Sequence, residues 1–70
     1  MKVRYDPEVD ILYVELADVP IKESDELRPG IVFDYDHSGN VVGFEIQAAS
    51  KRFPQPTGVE YTVVGAPNEE

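Results

Sequence analysis

The stretch Asp34–Glu45, DYDHSGNVVGFE, decides how this chain is read. It nearly matches the calcium-loop pattern D-x-[DN]-x-[DN]-G-x5-E. Asp34, Asp36 and Ser38 fall at the first three ligand positions, with Ser where Asp or Asn is usual. Gly39 stands at the sharp turn, and Glu45 would close the site with two oxygens. The same residues also suit a β-hairpin. Asp36 can accept backbone N–H groups across a turn, His37 and Ser38 fit a type I turn, and Gly39 supplies the left-handed residue of a bulge. The flanks separate the two readings. A calcium loop needs a helix on each side, and Pro29-Gly30 leaves no room for an entering one. The preceding GIVF is β-branched and aromatic, which suits a strand. The exit EIQAASKRF is compatible with a helix, so one side of the calcium pattern survives.

The hairpin is therefore the leading reading, and a small cation-binding domain using Asp34, Asp36 and Glu45 is the alternative. Turn chemistry favours a three-residue loop, pairing Asp36 with Asn40, Tyr35 with Val41 and Phe33 with Gly43. In that register Gly43 leaves room for the Phe33 ring, and Asp34 and Glu45 face opposite ways. A four-residue loop would pair Tyr35 with Val42 and Phe33 with Phe44. It sorts the apolar groups more cleanly, and a slip of one residue exchanges the faces.

Outward from the hairpin, a period of two persists through most of the chain up to Gln47. KVRYD and DILYVEL read as strands joined at DPEVD, where Asp6 can bond the backbone and Pro7 presets φ. PIKESDEL reads as an exposed, irregular edge strand whose Lys22 and acids discourage edge-to-edge pairing. AASKRF suits a short helix over residues 48–53, ended by Pro54. VEYTVV reads as one more short strand, and GAPNEE as a frayed tail. The fold class is α+β: an antiparallel β-meander of about five strands, one short C-terminal helix and this last short strand. Residues 1–70 form a single small domain.

Both faces of the second strand carry large apolar groups: Leu12, Val14 and Leu16 on one, Ile11 and Tyr13 on the other. A sheet with one solvated face does not need that. The helix and the final strand can cover one face, and a second subunit the other. A homodimer is predicted, with Ile11 and Tyr13 as interface candidates. Lys51 and Arg52 are the densest positive charge; they complement the helix dipole or meet an acidic patch on the second subunit. A chain this short makes a small core, and with no cysteine it has no disulfide to help, which also favours self-association.

Fourteen Asp and Glu against six Lys and Arg give a net charge of −8. Nucleic-acid phosphates and anionic membranes would repel such a chain, so neither is an expected partner. A basic protein or a cation is better matched. No apolar signal-peptide core or membrane span is visible, and a cytoplasmic location is expected. Material for catalysis is sparse. With no Cys and His37 as the lone histidine, a triad would need Ser24, Ser38 or Ser50 beside it. No glycine-rich phosphate loop occurs, and no cofactor is expected. The four tyrosines fall on strand positions and suit core packing with a bonded hydroxyl.

Taken together, YDPEVDILYVEL and LRPGIVFDYDHSGNVVGFEIQAASKRF resemble the small prokaryotic family catalogued as domain of unknown function twenty-two eighty-three. The resemblance covers a core of residues 2–53 and leaves 54–70 as a variable tail. It implies a small, mostly antiparallel β fold with one helix, and it carries over no catalytic residue. It also hints at an antitoxin or protein-partner role, since such genes are thought to neighbour small toxin-like genes. The leading functional expectation is a non-enzymatic protein-interaction module, an antitoxin-like partner of a basic protein.

Overall fold

A computed structural model describes residues 1–65. The expected tail GAPNEE lies outside them, apart from Gly65. Five strands, β1 (Lys2–Asp6), β2 (Ile11–Glu15), β3 (Glu23–Arg28), β4 (Ile31–Tyr35) and β5 (Val41–Gln47), are followed by α1 (Ala49–Arg52). They form one antiparallel sheet in the order β1-β2-β5-β4-β3. The meander β3–β4–β5 thus joins the β1–β2 hairpin through β5. The expected α+β class, strand number and short helix are all present.

Local chemistry explains the reversals. Asp6 accepts the Glu8 N–H at 2.9 Å in the first turn. Pro29-Gly30 reverses β3 into β4, with Gly30 at φ 82° and its N–H on the Glu26 carboxylate at 2.9 Å. β3 is exposed along its whole length and carries a register shift between Glu26 and Arg28. Acids and a bulge on an outer strand block further pairing.

The β4–β5 turn is the three-residue loop. Asp36 N–H donates to the Asn40 carbonyl at 3.0 Å, Gly39 N–H donates to the Asp36 carbonyl at 3.1 Å, and Gly39 sits at φ 84°. Tyr35 pairs with Val41 as expected, but the expected partner of Phe33 needs correction. A register shift at Val42 sets Asp34 opposite Gly43, Phe33 opposite Phe44 and Val32 opposite Glu45. The bulge combines the favoured turn with the better apolar sorting, because one extra residue exchanges the faces beyond it. Asp34 and Glu45 consequently share a face instead of pointing apart.

On the other face the register sets Val3 beside Val14, Tyr5 beside Leu12, Phe33 beside Phe44 and Ile31 beside Ile46. The expected cover for a face does not form. α1 has four residues and lies at the end of the sheet, where Ala49 is fully buried and Phe53 returns to extended backbone. The strand expected over Val59–Val64 is absent: the segment has no backbone ladder, and Val59, Tyr61, Val63 and Val64 are exposed. Pro54 and Pro56, which lack N–H groups, precede it. It passes β1 without a backbone hydrogen bond, leaving a gap of about 470 Å³ among Tyr5, Leu12, Pro56 and Val59.

The result is a single layer. Among the described residues, Val14, Val42 and Ala49 are the buried apolar ones. The radius of gyration is 14.0 Å, against about 11 Å for a compact chain of this length. The accessible surface is 5550 Å² for 7.8 kDa, against about 4,400 Å² for a compact monomer. Among the described residues, no helix is long and apolar enough to cross a membrane.

Candidate functional site

The two faces are closed to different degrees, and the difference starts at Asp34. This carboxylate is buried at 8% exposure on β4. Its Oδ2 accepts the Tyr13 hydroxyl at 2.7 Å, from β2, and its Oδ1 accepts the Ser24 hydroxyl at 2.6 Å, from β3. One carboxylate thereby links an inner strand to the outer one across β5. Gly43 on β5 makes room for it, since a Cβ there would strike the Tyr13 phenol and crowd the Val14 carbonyl. Burial and the bond to Asp34 push the Tyr13 hydroxyl up to about 12. The Arg4 guanidinium lies 5.2 Å from the Tyr13 ring centroid and 3.8 Å from the Glu15 carboxylate. An exposed pair of that kind adds little stability.

The remaining calcium-pattern residues hold the backbone. Asp36 Oδ1 accepts the N–H groups of Ser38 and Asn40, each at 2.9 Å. Those bonds, with the Asn40 contact foremost, hold its carboxyl below the usual range. Ser38 contributes its N–H rather than its hydroxyl. Glu45 accepts a 2.9 Å bond from the Gln47 amide. Among the described residues, no group of three or more His, Cys, Asp and Glu converges as a metal site would require. His37 lies by a shallow depression of about 360 Å³ with Lys22, Glu23, Asp25 and Tyr35.

Asp10 has a role that sequence reasoning missed. At φ 58° in the β1–β2 turn, it accepts the Tyr5 hydroxyl at 2.7 Å, the Ser50 N–H at 2.9 Å and the Ser50 hydroxyl at 2.7 Å. The Tyr5 bond, then the Ser50 bonds, lower its carboxyl, and the same bond raises Tyr5. It caps α1 from 40 residues away. The aspartate before ILYVE was visible as a turn residue; its partner forty positions on was not. Arg52 sits in the last helical turn, as expected, and donates to the carbonyls of Gln47 and Pro29, each at 2.7 Å. Lys51 stays exposed.

Ile11 and Tyr13 lie on the face that carries this polar link, where Tyr13 is engaged within its own chain. The opposite face, centred on Phe44, has no second layer. Phe33 and Phe44 meet there with ring centroids 5.7 Å apart at 31°. Val3, at the β1 margin, is 41% exposed. That apolar face is the candidate functional surface.

No curated protein and no solved structure matches the chain. The family model described as "Protein of unknown function (DUF2283)" matches residues 2–50. That span covers most of the 70 residues and ends just after α1 begins. The chain belongs to the DUF2283 family.

Proposed function

We propose that the protein is a non-catalytic interaction module whose sheet is completed by another polypeptide. The open apolar face carries this reading. Domains bury the apolar side of a sheet against a second layer, and here neither α1 nor the segment after it supplies one. The centre of this face, Leu12, Phe33 and Phe44, is half-buried and its margin at Val3 is exposed; an apolar patch left uncovered marks a place of association. The polar groups fit the same picture. Asp34 is occupied on both oxygens, and Tyr13 keeps its proton at any physiological pH. Neither is available as a base or nucleophile.

The net charge of −8 selects the kind of outside partner. Glu23, Asp25 and Glu26 lie exposed along the outer strand. A Lys- and Arg-rich protein suits that margin electrostatically, as in the acidic half of an antitoxin-like pair in the cytoplasm. The test is affinity capture from the native cell with the wild-type chain and with Glu23→Lys/Asp25→Lys/Glu26→Lys. A stoichiometric basic protein held by the wild type and released by the triple variant is expected. Recovery of no such protein, or one held equally by both, defeats the assignment of a basic partner.

A further inference from the structure

We infer that the occupant of the open face is a second copy of this chain, packed sheet on sheet. This rests on the reading of the face as an interaction surface and assigns its partner. Area is the first argument. The chain exposes 5550 Å², about 1,100 Å² more than a compact monomer of its mass. Part of that excess belongs to the extended segment after Pro56. A standard stable interface removes about 800 Å² from each partner. The face and that segment together hold an excess of the size that one such contact removes.

Charge is the second argument. Two chains at −8 repel, so a self-contact must be confined to a surface without acids. The open face meets that condition. From Val3 on β1 through Leu12 and Phe44 to Phe33 on β4, the residues facing it are uncharged. The acids on this side, Glu23 and Asp25, stand on β3 at the margin. A two-fold axis running along β5 places each β3 margin over the partner's β1 margin, so the acidic edges never face one another. A basic partner selected by charge meets that β3 margin instead of the uncharged centre.

Symmetry is the third argument. An isologous contact needs a surface that complements itself, and an apolar sheet face does so. The Phe33–Phe44 pair lies near its middle, where aromatic anchors contribute most. The patch continues beyond β1, since Met1, Val3, Val59 and Tyr61 line one further gap of about 490 Å³. In a lone chain Val59 and Tyr61 touch little, and a second copy supplies the missing contacts.

Two measurements on the full chain test this. Sedimentation across micromolar concentrations is expected to give twice the 7.8 kDa chain mass. Phe44→Asp should halve the observed mass, while Tyr13→Phe, on the opposite face, should leave it unchanged. Because Phe44→Asp also challenges folding, a milder pair settles the face. The chain has no cysteine, so Val3→Cys and Lys2→Cys each introduce a single thiol on opposite faces. The Val3→Cys thiol should lose reactivity toward a polar reagent as concentration rises, while the Lys2→Cys thiol should not. A chain that stays monomeric, or a dimer in which both thiols react alike, overturns the second-copy assignment. A monomer that still captures a protein, and loses it in Val3→Asp, leaves the broader reading standing with another occupant.

Discussion

Tyr13 shows how one side chain can hold a task within its own chain that alternation alone does not display. Alternation places it with Ile11 on an apolar face, and a large aromatic there reads as a contact surface. The fold instead turns its hydroxyl onto Asp34, over the gap left by Gly43. Tyr13→Phe leaves Asp34 Oδ2 buried and unpartnered, which costs about 1–3 kcal/mol; urea unfolding measures it. Gly43→Ala should cost a similar amount, about 1–3 kcal/mol, because the added methyl overpacks the site. The two losses should be less than additive, since removing the hydroxyl also removes the atom that the new methyl meets. Strict additivity would mean that the Tyr13 ring and the Val14 carbonyl, rather than the hydroxyl, set the glycine requirement. Tyr13 also gives a pH signature. Its hydroxyl is raised from 10.0 to about 12, so the folded chain holds that proton longer than the unfolded one. The stability so contributed is complete below about pH 10 and is lost as pH rises toward about 12. Thermal unfolding should show an alkaline decline over that interval, shallower in Tyr13→Phe.

The β4–β5 hairpin and α1 owe their places to aspartates, and only one of the two was visible beforehand. Asp36 and Gly39 state the turn in their own sequence: an acceptor, two turn residues, then a glycine at positive φ. The bulge at Val42 was not stated there, because it resolves a conflict between turn chemistry and apolar sorting that involves β4 as much as β5. Five strand positions, the exposed outer strand and the helix near 48–53 follow from alternation, turn residues and Pro54. The failed strand at Val59–Val64 has a strand-like sequence, but pairing requires an accessible ladder, and that is tertiary information. Asp10 is the same case, since its value lies in Ser50. Asp10 and Asp36 both sit below the usual carboxylate range. Their ionised forms are favoured by folding, so they stabilise the fold fully above about pH 4 and lose that contribution as pH falls through their folded values. The acid limb of a melting curve should flatten in Asp36→Asn. In Asp10→Asn the amide signals of Ala49–Arg52 should shift before the sheet melts. An acid limb identical to wild type in both variants would remove these two carboxylates as its cause.

Considered entire, the molecule is a thin charged slab, 42 × 30 × 18 Å, with a net charge of −8. Its acids outnumber its bases by more than two to one, and Arg4–Glu15 is the salt bridge among the described residues. Repulsion therefore dominates attraction in its surface electrostatics. The range of that repulsion is set by salt. The screening length is about 30 Å at 0.01 M and about 8 Å at 0.15 M. At the lower salt the acids of β3 feel those of every other element; at the higher salt they feel only near neighbours. Raising the salt over this interval should raise the melting temperature, and it should strengthen any pairing between two such slabs by relieving the same repulsion. Sodium chloride and a non-coordinating potassium salt should act alike at equal ionic strength, because the effect is screening and no bound ion is involved. A melting temperature that falls with salt would mean that a few ion pairs outweigh the net charge. A jump specific to micromolar calcium would mean that the acids of Asp34–Glu45 gather an ion after all, against the backbone bonds that Asp36 makes and the hydroxyls that Asp34 holds.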